Sequence, residues 1–244
     1  MNAFLKREFY ILKHNFIPFI CIWALMPMAI YLFISYPLHS LLKIHSSGIN
    51  YLHWSSIGNL IFTSSLLAYF MSLNSTLKYK SKSNFSNAML VSPQPNSRHL
   101  IAIVIWSSAV AFIQLLFSVG ITQSLNSSLS TTNILWVILY LIPIIIMTSN
   151  IGIFIGLIVS NSIARIFLII IFIIFFIGAS GLFIELNITS SSLLYYSPFH
   201  LAVLHTQNIV TGDISMPSPS IIVFIVSILL FFINLVLSHK MLRS

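Results

Sequence analysis

Six long apolar stretches, at residues 16–38, 57–77, 100–122, 134–159, 166–186 and 221–237, constrain this chain more than any other feature. A hydrocarbon core about 30 Å thick takes roughly 20 apolar residues of helix to cross. Backbone groups inside it must hydrogen-bond within the protein, so only helices and closed barrels span, and runs of this length are helical. Charged residues make up 6% of the chain and hydrophobic ones 58%, whereas an ordinary soluble domain carries roughly 25% charged residues. The expected fold is an all-α integral membrane protein with six transmembrane helices in a single domain, 1–244. The second stretch is the weakest, being rich in Ser, Thr and Asn.

Lys6, Arg7 and Lys13 precede the first stretch, but it is longer than a signal-peptide core and contains Pro18, Pro27 and Pro37. It therefore reads as a retained span. Cytoplasmic loops retain Lys and Arg. With the amino terminus inside, Lys6, Arg7, Lys13, Lys78, Lys80, Lys82, Arg98, Arg165, Lys240 and Arg243 fall in cytoplasmic segments, and Lys43 alone falls outside. Glu185 and Asp213 then lie on or near the external face. The net charge of +8 is thus a topological signal, and no nucleic-acid partner is expected, since that would gather the cations on one folded face. The single cysteine, Cys21, sits inside the first span and leaves no disulfide framework to consider.

At the start, 1–15, Leu5, Phe9, Leu12 and Phe16 share one helical side and Asn2, Lys6 and Lys13 another, the pattern of a helix lying in the membrane interface. The alternative is a frayed, charged beginning of the first span. The one sizeable cytoplasmic loop, 78–99, holds a short helix at 84–91 with Phe85, Ala88 and Met89 at helical spacing, ended by Pro93 and Pro95. An exposed apolar turn among cations invites a protein partner; a basic loop resting on lipid headgroups is the other reading. Span four repeats a small residue every fourth position, Thr148, Gly152, Gly156 and Ser160, which lets another helix backbone come close, within the chain or between chains. The run GASGLF at 178–183 interrupts span five near its outer end. In the external segment 187–219, Phe199, Val203, Thr206 and Val210 line one side of a short helix on the outer surface. No internal repeat is visible, which removes one signature of secondary transporters.

Ionisable residues at membrane depth mark proton and ion pathways, and the span interiors here hold neutral groups instead, such as Asn59, Thr63, Ser64, Gln114 and Asn150. A chain that moves cargo without a relay draws its energy from elsewhere. It carries no GxxxxGK[ST] phosphate cradle of its own. One enzymatic pattern competes: GASG at 178–181 resembles the serine motif of rhomboid intramembrane proteases, with Ser180 as nucleophile. That chemistry needs a histidine base within hydrogen-bond reach. His239 lies at the opposite membrane face, about 30 Å away, while His200 and His205 are on the correct side but read as loop residues. The external histidines His39, His45, His53, His200 and His205 show no tight i, i+4 pair with an acidic helper, so no metal site is expected. A membrane scaffold or immunity-like factor is a third class.

Four features together resemble the permease subunits of type-2 ATP-binding-cassette (ABC) exporters, the group that includes drug, polysaccharide and lipo-oligosaccharide exporters. They are LKREFYILKHN at 5–15, MLVSPQPNSRHLI at 89–101, a fifth span broken near its outer end, and YSPFHLAVLHTQNIVTGD at 196–213. The resemblance implies that 84–91 is a coupling helix docking in a cleft of a separate ABC ATPase subunit through Phe85, Ala88, Met89 and Leu90, with Lys6 and Arg7 in the interface helix beside it. It implies ATP and Mg in that partner and no cofactor in this chain. It also implies a homodimer with the substrate path between the copies near spans one, two and five, and a bacterial inner-membrane location with both termini cytoplasmic. The external helix departs from the family pattern in lacking a charged residue midway, and span two is unusually polar.

Overall fold

The computed structural model describes residues 2–41, 51–81, 96–125, 131–159, 161–183, 196–211 and 218–243. Among them the regular structure is helical throughout. The helices are α1 (Asn2–His14), α2 (Phe16–Ile30), α3 (Tyr36–Leu41), α4 (Tyr51–Ser81), α5 (Asn96–Leu125), α6 (Thr131–Ile158), α7 (Ser162–Ser180), α8 (Pro198–Thr211) and α9 (Ser218–Arg243). The chain is an all-α membrane protein. Five helical segments are long and apolar enough to cross a bilayer: Phe16–His39, Trp54–Lys78, Ser97–Leu125, Asn133–Ile158 and Ile221–Lys240.

The fifth expected span, 166–186, falls on α7, whose apolar part, Ile163–Gly178, is shorter. Its reason is local. Gly181 caps α7 in the left-handed conformation, φ 73°, which glycine adopts without the steric cost a Cβ brings. The apolar run 166–186 therefore contains a helix end, at the position where the GASGLF sequence signals a break.

The first span is irregular at two places. Pro27 lies inside α2 and offers no N–H to the Trp23 carbonyl. Farther along, a π turn at Tyr31–Ser35 joins α2 to α3, with the Tyr36 N–H donating to the Tyr31 carbonyl. Widened turns of this kind occur where a helix must absorb an irregularity, here one residue before Pro37.

Span two, although the most polar, is the most buried: 89% of its apolar window lies inside the bundle, against 22% for the first and last spans. Helices α5 and α6 lie along it, α9 lies along α6, and α2 lies mainly on α5. The buried core follows α4 from Ile57 through Ile61 and Tyr69 to Leu73, joined by Leu115, Leu141, Ile144 and Ile145. The outward faces of α2, α7 and α9 are apolar, with Leu25, Ile163, Ile174 and Val236 among the exposed side chains. Apolar residues facing outward and polar residues facing inward are the arrangement a lipid solvent selects.

At one end of the bundle α1 folds back against α5, where the Phe4 ring meets His99 edge-on at 4.9 Å. Phe4 is buried, and Leu5 and Leu12 are half-buried on the same side, whereas Phe9 is exposed. The face that α1 turns to the bundle is thus rotated from the stripe Leu5, Phe9, Leu12, Phe16, and it brings Glu8 inward.

Candidate functional site

The polar groups of span two divide into those that serve their own helix and those that reach across. Ser56, Ser64 and Thr76 donate to carbonyls one turn back, Leu52, Leu60 and Ser72, which removes their polarity from the surroundings. Asn59 reaches across, and Thr63, which also donates to the Asn59 carbonyl at 2.8 Å, does both. Asn59 Nδ2 donates to the Pro27 carbonyl on the first span at 2.9 Å. The Thr63 and Ser118 hydroxyls share a hydrogen bond at 2.9 Å. Gln114 Nε2 donates to the Trp23 carbonyl at 3.2 Å, the acceptor that Pro27 leaves without its helical donor. Spans two and three therefore hold the irregular part of span one with side-chain amides. Proline in an apolar stretch together with amides on the neighbouring ones is the sequence signal for this, and it is readable only once the neighbours are known.

A second polar layer joins spans three, four and six. Ser107 and Ser149 meet at 2.5 Å. Asn150 Nδ2 donates to the Ser227 carbonyl and hydroxyl at 3.3 and 3.1 Å, and Asn234 Nδ2 donates to the Asn150 carbonyl at 2.9 Å. Between them runs the close approach of span four to span two. A Cβ placed on Gly152 would collide with Ser72 Oγ and lie 2.5 Å from the Tyr69 carbonyl oxygen, and one on Gly156 would lie 2.8 Å from Thr76 Cβ. Thr148 is fully buried in the same seam and donates to its own helix at the Ile144 carbonyl. This face packs within the chain; Ser160 lies outside the described residues.

At the opposite end from α1, the turn 181–183 rests on the start of α4. A Cβ on Gly58 would collide with the Leu182 carbonyl oxygen. The Trp54 indole N–H donates to the Gly181 carbonyl at 3.2 Å and the Tyr51 hydroxyl to the Phe183 carbonyl at 2.9 Å. Burial pushes the Tyr51 phenol up to about 12, so it keeps its proton and stays a donor. The broken end of span five is thereby anchored on span two, and α7 faces α4 below this anchor through rings. Tyr69 stacks on Phe172 at 4.2 Å, Phe62 faces Phe176 at 6.1 Å, and Phe199 of α8 meets Phe176 edge-on at 4.8 Å.

The protease geometry is not assembled. Ser180 Oγ donates to the Phe176 carbonyl of its own helix, and His200 Nδ1 approaches the Ser180 backbone carbonyl, at 3.4 Å, rather than the hydroxyl. His200 and His205 lie on helix α8, which corrects their reading as loop residues. His205 is buried against Tyr140, the rings edge-on at 4.5 Å, and this burial holds its pKa below the usual histidine value. Among the described residues no three His, Cys, Asp or Glu side chains gather in a metal-binding group.

Lys6 is exposed on α1. Arg7 lies over the Phe4 ring at 5.3 Å and pairs with Glu8, its terminal nitrogen 2.5 Å from Oε1. Glu8 is only 3% exposed, and sequence reasoning missed it because the run LKREF reads as basic. Its signal was an acid on the helical face shared with Phe4 and Leu12. The coupling residues Phe85, Ala88, Met89 and Leu90 lie outside the described residues.

A comparison with curated proteins finds no match. The family described as ABC-2 family transporter protein matches residues 48–237, from just before span two through the last span. With its multi-pass apolar helical bundle and this match over most of its length, the chain belongs to the ABC-2 transporter family, as a membrane-spanning permease subunit.

Proposed function

We propose that this permease is the membrane half of an exporter, driven by a separate ABC ATPase that docks on the loop at 84–91. What carries the reading is the segregation of charge in a chain of this family. Lys6, Lys13, Lys78, Arg98 and Lys240 stand at the α1 end of the bundle, the end from which the 84–91 loop departs. That distribution favours a cytoplasmic α1 end, with both termini inside, in a bacterial inner membrane. The chain has no phosphate cradle, so ATP and Mg belong to the partner. Two copies of the chain pair through exposed apolar faces, and the cargo passes between them.

The bundle also supports a division of labour. Spans two, three, four and six, tied by glycine contacts and amide hydrogen bonds, act as a fixed unit. Span five, which meets span two through ring faces below its anchored outer end, forms the part that shifts when the ATPases close. Ring faces slide at small cost, whereas backbone-to-glycine contacts do not.

Co-purification of an ABC ATPase from detergent-solubilised membranes of the source cells, comparing the wild-type chain with a Phe85→Asp, Met89→Asp double variant, tests the docking site. The wild type should bring down the ATPase and the double variant should lose it. Failure of the wild type to capture any ATPase would remove the energy source and with it the exporter reading.

A further inference from the structure

Where α1 crosses the ends of α2, α4 and α5 there is a cleft of 180 Å³ whose wall includes Glu8, Ser75, Lys78, Trp106, Phe19 and Met71. We infer that this cleft binds the headgroup of a zwitterionic phospholipid bearing a primary amine. The inference rests on α1 lying along the membrane surface and is independent of the ATPase docking site.

The cleft joins both signs of charge to an apolar wall. Glu8 is 3% exposed, a carboxylate kept from water beside Arg7, and it offers acceptor oxygens to an ammonium donor. Lys78 stands at the end of span two, exposed and without an ion pair among the described residues. Trp106 is 9% exposed, and its indole N–H finds no acceptor in the protein. Leaving a buried donor without a partner is costly, so an acceptor oxygen brought in by a ligand is favoured there. Ser75, 4% exposed, supplies a further hydroxyl. A phosphate has the oxygens for Lys78 and Trp106, and a primary ammonium has the protons for Glu8.

Size and surroundings point to a lipid rather than a free metabolite. The volume is about that of six waters, enough for a small headgroup and too little for acyl chains. The chains have an apolar exit: Ile11, on the wall of the cleft, is 38% exposed. A choline headgroup has the same charges but no ammonium proton to donate, and a glycerol headgroup has no cation at all. The site therefore selects ethanolamine-type phospholipid over both.

Native mass spectrometry of the detergent-purified full chain, with phosphatidylethanolamine, phosphatidylcholine or phosphatidylglycerol added in turn, reads this directly. Phosphatidylethanolamine should bind at least fivefold more tightly than either of the others. Trp106→Phe, which keeps the ring and removes the donor, should lower that affinity severalfold. Glu8→Gln should erase the preference over phosphatidylcholine, and Lys78→Ala, at an exposed position that leaves folding intact, should weaken phosphatidylethanolamine. Equal or tighter binding of phosphatidylglycerol, or displacement of the lipid by inorganic phosphate at similar concentration, would overturn the assignment. So would a preference that survives all three substitutions.

Discussion

Span two has two unlike sides. Toward span four it meets glycine: Gly152 and Gly156 bring the two backbones so close that no side chain fits between them. Toward span five it meets rings, with Tyr69 and Phe62 facing Phe172 and Phe176. Both sides are buried, yet they bury different things. In a bilayer, where lipid tails are as apolar as the helix surface, tight backbone approach and interhelical hydrogen bonds hold helices together. The glycine side has the tight backbone approach, so it fixes one geometry. Below the anchor that Gly58, Trp54 and Tyr51 make on the 181–183 turn, the ring side has area and stacking, which tolerate displacement.

The comparison breaks most visibly at Gly152. Gly152→Leu forces a branched side chain onto the Tyr69 carbonyl and Ser72, and overpacking of this kind costs about 3 kcal/mol or more. Loss of the folded monomer in detergent, read as aggregation on size exclusion, is the expected result. Phe172→Leu, by contrast, keeps most of the volume and loses the stack on Tyr69. It should lower stability by about 1 kcal/mol, seen as a small fall in the thermal midpoint. A Gly152 variant as stable as the Phe172 variant would erase the distinction. Smaller again is Asn150→Ala, which removes the hydrogen bonds to Ser227. Such bonds average about 0.6 kcal/mol in a membrane, and thermal unfolding of the variant should show that decrement.

The external helix adds a pH effect. Burial lowers the His205 pKa from its ordinary value of 6.5, so the folded protein holds the neutral ring while the unfolded chain takes up a proton at higher pH. Stability tied to that neutral ring is complete above 6.5 and is lost as pH falls from there toward the lowered native value. Thermal midpoints measured from pH 8 down to pH 5 should decline, and His205→Asn should flatten the decline.

The number and placement of apolar runs made the membrane fold legible, because hydrocarbon thickness leaves so few solutions. The end of α7 was legible too, since GASGLF places a glycine where a helix must stop. What could not be read was which neighbour each polar residue meets. Asn59 reads in the sequence only as a neutral polar group inside a span, and its amide holds the Pro27 carbonyl. Gly152 left intrachain and interchain packing open, and the choice depended on Ser72 and Tyr69, some eighty positions earlier. Glu8 was hidden because a single acid between cations looks solvated until the rotation of α1 is known.

The division between a fixed unit and a shifting span five is open to a direct distance measurement. In a Cys21→Ser background, spin labels at exposed Leu139 and Leu229 report span four against span six, and labels at Leu139 and exposed Ile174 report span four against span five. In the permease–ATPase complex, adding ATP should leave the first distance distribution in place and shift the second by several ångströms. A shift in the first pair, or the same displacement in both, would contradict the account.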